Sequence, residues 1–170
     1  MVMVWLLTAC KPSPSFNANT EQTYFDIKGY FNSEAVKLKK AHPQIQKTVS
    51  HNNDTTSQTV TVKDWLTEFS LFIQSDINKP AWKNSYKVEK SETFIIYTAK
   101  EKSLRTRRIV IKLAEKDIKW IMIENRVKNE LYATYEKLSY FPESHYEIRK
   151  NQSVRLLGNN RYYINGLLKH

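Results

Sequence analysis

Among the 170 residues there is a single cysteine, Cys10, and it closes the tetrad Leu7-Thr8-Ala9-Cys10 after an apolar run that starts at Met1. A thiol is a nucleophile that can take up a lipid group. A second kind of chemistry sits at Arg105-Thr106-Arg107-Arg108, where three guanidinium groups crowd one strand start. Their planar forks match phosphate or carboxylate oxygens two at a time, so Arg105, Arg107 and Arg108 are candidate anion ligands. Tyr162 and Tyr163 with Arg155 and Arg161 form another cluster. On a single-stranded nucleic-acid binder it would serve as a stacking platform; on an exported domain it reads as strand packing with a charged solvent face.

Catalytic sets are harder to find. The four histidines, His42, His51, His145 and His170, fall at expected element ends, turns or the terminus, and no two lie four residues apart, so no metal site is expected. Asp117 and Glu124 could meet across strands, but Lys112, Lys116 and Lys119 turn them into ordinary surface ion pairs. Three glycines cannot build a phosphate loop or a dinucleotide fingerprint, and no Gly-x-Ser-x-Gly elbow occurs. No catalytic residue and no cofactor are expected.

The tetrad resembles the lipobox of bacterial lipoproteins, which needs an aliphatic residue three places before the cysteine and two small ones after it. Leu7, Thr8 and Ala9 comply. The resemblance implies a signal peptide over residues 1–9, removed when Cys10 is lipidated and becomes the first residue of the mature protein. The apolar run is far below the about 20 residues of a membrane-spanning helix and fits an export signal instead. No Lys or Arg precedes it, a departure from export signals that a start upstream of Met1 would repair. Lys11-Pro12-Ser13-Pro14-Ser15 then begins a Pro/Ser tether over residues 10–19. The body is also similar to Bacteroidota lipoproteins, a likeness that implies no activity. Lys11 is not the aspartate that retains some lipoproteins at the inner membrane, and no acidic run for surface export follows Cys10. The expected location is therefore the outer membrane, facing the periplasm.

Residues 20–170 suit one domain with a proper core. The 41% hydrophobic content and ten tyrosines argue against disorder, and one cysteine excludes internal disulfides and paired-cysteine zinc sites. A net charge of +10 favours an anionic lipid, glycan or acidic protein partner in the envelope. Distributed lysines that merely keep the domain soluble would account for it equally. The leading expectation is a non-enzymatic binding or structural domain. The alternatives are an enzyme acting on an envelope polymer and, with Cys10 unmodified, a nucleic-acid binder; with Cys10 lipidated no nucleic acid is expected.

The elements that must carry these residues are legible from periodicity. Tyr24, Ile27, Phe31, Ala35 and Leu38 recur at helical spacing and predict a helix from about Gln22 to Ala41, with Thr20 as N-cap and Pro43 as stop. Gly29 marks a kink or a close approach there. Ile45 to Ser50 and Thr59 to Val62 predict a hairpin about His51-Asn52-Asn53-Asp54. Asp64 caps a second helix whose face of Trp65, Leu66, Phe69, Phe72, Ile73 and Ile77 should be the packing centre, ended by Asn78-Lys79-Pro80. Strands follow at 93–98, 107–113, 118–124, with Ile118, Trp120 and Met122 on one face, and 131–135. Residues 139–144 are expected to connect to short strands at 146–149, 154–157 and 162–164, turning at Asn151 and Gly158-Asn159-Asn160. The fold class is therefore α+β: a curved antiparallel β-meander, compatible with a half-barrel, with two helices packed on one face.

Overall fold

A computed structural model of the chain describes residues 23–169, apart from Lys116 and Leu157. Cys10, the tether and Thr20 lie outside the described residues, as does His170. The fold is α+β, as expected. Its order is α1 (Ile27–Ala41), β1 (Gln44–His51), β2 (Asp54–Thr61), α2 (Trp65–Glu68), α3 (Ser70–Ile73), a single 3-10 turn (Pro80–Trp82), and β3 (Tyr86–Lys90). The remaining strands are β4 (Phe94–Ala99), β5 (Thr106–Ala114), β6 (Asp117–Lys128), β7 (Tyr132–Phe141), β8 (His145–Val154) and β9 (Gly158–Leu168). They form one nine-stranded antiparallel sheet in the order β2-β1-β9-β8-β7-β6-β5-β4-β3. Seven strands make the meander, the first hairpin is added beside β9, and the sheet does not close.

The helices lie on one face, here the inner one. Ile109, Ile111, Ile121, Ile123, Leu138, Tyr140, Tyr146 and Ile148 point to it from the central strands and are buried against Ile27, Phe31, Trp65, Phe69 and Phe72. The aromatic rings meet edge to face: Phe69 contacts Phe31, Tyr140 and Tyr146 at centroid distances of 5.4, 5.4 and 5.8 Å. Two tyrosine hydroxyls tie helices to sheet through carboxylates, Tyr140 donating to Glu34 and Tyr146 to Glu68. The outer face carries a small cluster of its own, in which Phe94 and Trp120 meet at 6.0 Å and the Lys112 ammonium lies over Phe94.

Several boundaries differ from the sequence expectations for identifiable reasons. The first helix starts at Ile27, not near Gln22, because Asp26 is its N-cap and accepts from the Gly29 N–H at 2.7 Å. Gly29 is a close approach rather than a kink: a Cβ there would collide with the Asp26 carboxylate. Tyr24 precedes the helix and wedges edge-on between Tyr86 and Tyr97. The second helix begins at its Asp64 cap but is divided at Phe69 into α2 and α3. The expected turn at Asn151 is mid-strand, paired with Tyr135 and Arg161, and the expected strand at 154–157 is largely a turn. Ser139 to Phe141 belong to β7 rather than to a connection. A bulge between Lys112 and Leu113 places Lys119 as the extra residue of β6, which separates Ile118, on the inner face, from Trp120 and Met122 on the outer.

Candidate anion-binding cleft

The arginine-rich stretch enters β5 through a second irregularity. Thr106 pairs with Asn125 and Arg108 with Glu124, so Arg107 is an extra residue between them. This bulge sends Thr106 to the inner face, where it is buried, and Arg108 to the outer, where it lies between Thr98 and Glu124. The three arginines are therefore not one cluster. Arg105 and Arg107 line a cleft of about 990 Å³ at the end of the sheet, and Arg108 stands apart from it.

The cleft lies between the β4–β5 loop and the β6–β7 turn. Lys102 and Ser103 come from the loop; Arg126, Val127, Lys128, Asn129 and Glu130 come from the end of β6 and its turn. The lining thus holds five basic residues and one acid, Glu130. Sequence reasoning missed Arg126 and Lys128 because only strand pairing brings residues some twenty positions apart to the same opening, and it missed Lys102 because that lysine lies in the loop before the arginine-rich stretch. The backbone bond from Arg126 N to Arg105 O, 2.8 Å, sets that register.

The arginines are held before any ligand arrives. Arg105 Nη2 donates to Glu136 Oε2 at 2.8 Å and its Nη1 to the Gln74 carbonyl at 3.4 Å. Arg107 Nη1 donates to the carbonyls of Glu101 and Leu104. A guanidinium has five N–H groups, so both retain donors for an anion. Beneath them is a polar network. Buried Glu136 also accepts from Asn125 Nδ2 at 3.2 Å and pairs with Lys150 at 3.6 Å, while Asn125 Nδ2 reaches Ser75 Oγ at 2.8 Å. Asn125 Oδ1 is buried with no hydrogen-bond donor among the described residues.

The other candidates part company. Tyr162 faces inward and stacks on His51 at 4.6 Å; Tyr163 faces outward beneath Arg149. Arg161 is held by backbone bonds to Asn52. His42 is the left-handed C-cap of α1, and His145 stacks on Phe141 at 4.3 Å. Asp117 and Glu124 lie along the same strand rather than opposite each other. Among the described residues no group of three or more His, Cys, Asp or Glu could hold a metal.

A second cleft, about 690 Å³, contains Asp26 and Asp76 beside Lys28, Asn32 and Asn78. Burial raises the Asp76 carboxyl above its ordinary range, and the Asp26 charge adds to the effect. Both carboxylates serve the fold, Asp26 as the α1 cap and Asp76 as acceptor from the Asn78 N–H at 3.2 Å. Comparison with protein-family models, with curated proteins and with solved structures returns no match.

Proposed function

We propose that the chain is a lipid-anchored lipoprotein of the bacterial envelope whose domain works without catalysis, by holding an anionic ligand in the cleft between the β4–β5 loop and the β6–β7 turn. Cys10 carries the lipid, the following Pro/Ser residues are the tether, and the domain faces the periplasm from the outer membrane. One observation carries the binding half of this reading: Lys102, Arg105, Arg107, Arg126 and Lys128 line one opening whose only lining acid is Glu130, and with Arg105 paired to Glu136 beneath it the cations still outnumber the acids. Like charges gathered at one place cost free energy unless an anion neutralises them. Two of the arginines are fixed by carbonyls and a carboxylate, which lowers the ordering cost of binding.

Inositol hexakisphosphate is a suitable probe, read by calorimetry. Arg126→Gln with Lys128→Gln is expected to weaken its binding by about tenfold or more, and added salt should weaken the wild type too. Arg108→Gln, on the outer face and away from the cleft lining, should leave binding unchanged. Equal binding by the double variant would remove the cleft from the account. The anchor is tested separately. Wild-type protein should incorporate labelled palmitate and lose residues 1–9, and Cys10→Ala should do neither, because cleavage follows lipid attachment. Wild-type chain recovered with Met1 to Ala9 and a free thiol would overturn the anchor.

A further inference from the structure

Next to the cleft, two adjacent turns hold leucines out into solvent. Leu131, in the β6–β7 turn, is 69% exposed and Leu156, in the β8–β9 turn, 92%. The turns are joined directly, Arg155 N donating to Leu131 O at 3.0 Å. Leu131 is not needed to shape its turn. Asn129 Oδ1 closes the first by accepting from the N–H groups of Leu131 and Tyr132 at 2.9 and 2.8 Å, so a polar residue at 131 would serve as well. Tyr132, 39% exposed, continues the apolar surface. Beside these side chains stand Lys128, Arg126 and Arg155, with Arg161 one strand away.

We propose that this end of the sheet docks on an anionic lipid surface, with Leu131 and Leu156 entering the boundary between headgroups and acyl chains and the basic collar contacting headgroup phosphates. An apolar tip whose surroundings are basic apart from Glu130 matches that boundary layer by layer: hydrocarbon meets hydrocarbon and charge meets phosphate. A soluble anion would use the collar but leave the leucines in water.

The position of Thr23, the first described residue, agrees. Tyr24 donates its hydroxyl to the Lys83 carbonyl at 2.7 Å and receives the Tyr86 N–H at 3.4 Å, and Tyr86 pairs with Ala99, the last residue of β4. The β4–β5 loop of the cleft starts there, so Thr23 lies at the same end of the sheet as the tip. The opposite end of α1 is marked by the Lys37–Glu143 pair at the β7–β8 turn. Cys10 stands thirteen residues before Thr23, a reach of at most roughly 45 Å. This orientation argument rests on the anchor proposed above; the tip's own chemistry does not.

The test uses the full-length chain with Cys10→Ser, so that no attached lipid contributes, and an environment-sensitive fluorophore on a cysteine introduced by Leu131→Cys, Leu156→Cys or Val36→Cys. Val36, 67% exposed on α1, is the control away from the tip. On phosphatidylcholine vesicles containing phosphatidylglycerol, labels at 131 and 156 should shift to the blue and gain intensity, while the label at 36 should not. Leu131→Ser with Leu156→Ser should lower vesicle binding about tenfold or more, with far-UV circular dichroism unchanged. Water-like emission at 131 and 156 would overturn the proposal, as would equal shifts on phosphatidylcholine alone. Loss of the tip signal with inositol hexakisphosphate binding intact would leave the cleft standing; the reverse result would leave the tip and remove the cleft.

Discussion

Gly166 is a position where a single added atom meets a buried ring. It pairs with Tyr146 across β8 and β9, and a Cβ added there would collide with the hydroxyl edge of the Tyr146 ring. The ring cannot move freely, because it packs on Phe69 and Trp65 and its hydroxyl donates to Glu68, which also pairs with Lys47 at 2.7 Å. Gly166→Ala is therefore expected to destabilise the domain by about 1–3 kcal/mol, the usual cost of overpacking. Urea unfolding would read it, and a cost near zero would show that the ring relaxes. Little of this was open to the sequence. Gly166 sits among apolar residues in a strand, and that pattern does not say which ring lies over it. The basic cleft was legible to the extent of Arg105 and Arg107. That Arg108 is not among the residues lining the cleft was not legible, because the extra residue at 107 depends on pairing with β6.

At the scale of elements, the face formed by Trp65, Phe69 and Phe72 was readable from spacing alone, since burial demands that one side of a helix be apolar. Its division at Phe69 was not readable, because both short helices keep the same face on the core. Phe69 is fully buried and meets five aromatic rings. Phe69→Ala should cost about 3–5 kcal/mol in chemical denaturation; a loss under about 1 kcal/mol would contradict its place in the core. The errors in β8 and β9 have a different origin. Their ends carry Asn151, Gln152, Ser153, Asn159 and Asn160, which look like turn residues. They are strand residues because the two strands pair from His145–Leu167 to Val154–Gly158. The core residues on these strands are Tyr146, Ile148, Ile164 and Leu168, all toward the end away from the tip, so hydrophobic alternation fades toward the tip. Backbone pairing continues where the apolar pattern that announces it has stopped.

At the scale of the whole molecule, the tyrosines make stability depend on pH. Burial raises the hydroxyls of Tyr30, Tyr86, Tyr97, Tyr140 and Tyr146 above their ordinary value of 10.0, and neighbouring Glu34 and Glu68 add to the shift at Tyr30, Tyr140 and Tyr146. The charged form of tyrosine is the deprotonated one, so the native state keeps protons that the unfolded chain releases near pH 10. The stabilisation is whole below that pH and declines above it, by about 1.4 kcal/mol per pH unit for each tyrosine still protonated in the fold. The four with the largest shifts, Tyr30, Tyr86, Tyr140 and Tyr146, together remove roughly 5–6 kcal/mol per unit, comparable with the stability of a typical domain, about 5–15 kcal/mol. The sheet should therefore unfold cooperatively within about two units above pH 10. Tyrosinate absorbance and far-UV circular dichroism, followed in one alkaline titration, would check it. The part of the absorbance belonging to these five residues should rise in step with loss of the dichroism signal. Complete ionisation of all ten tyrosines before any loss of secondary structure would show that water reaches the Tyr140 and Tyr146 hydroxyls in the folded state, and that the junction between helices and sheet is looser than their pairing with Glu34 and Glu68 implies.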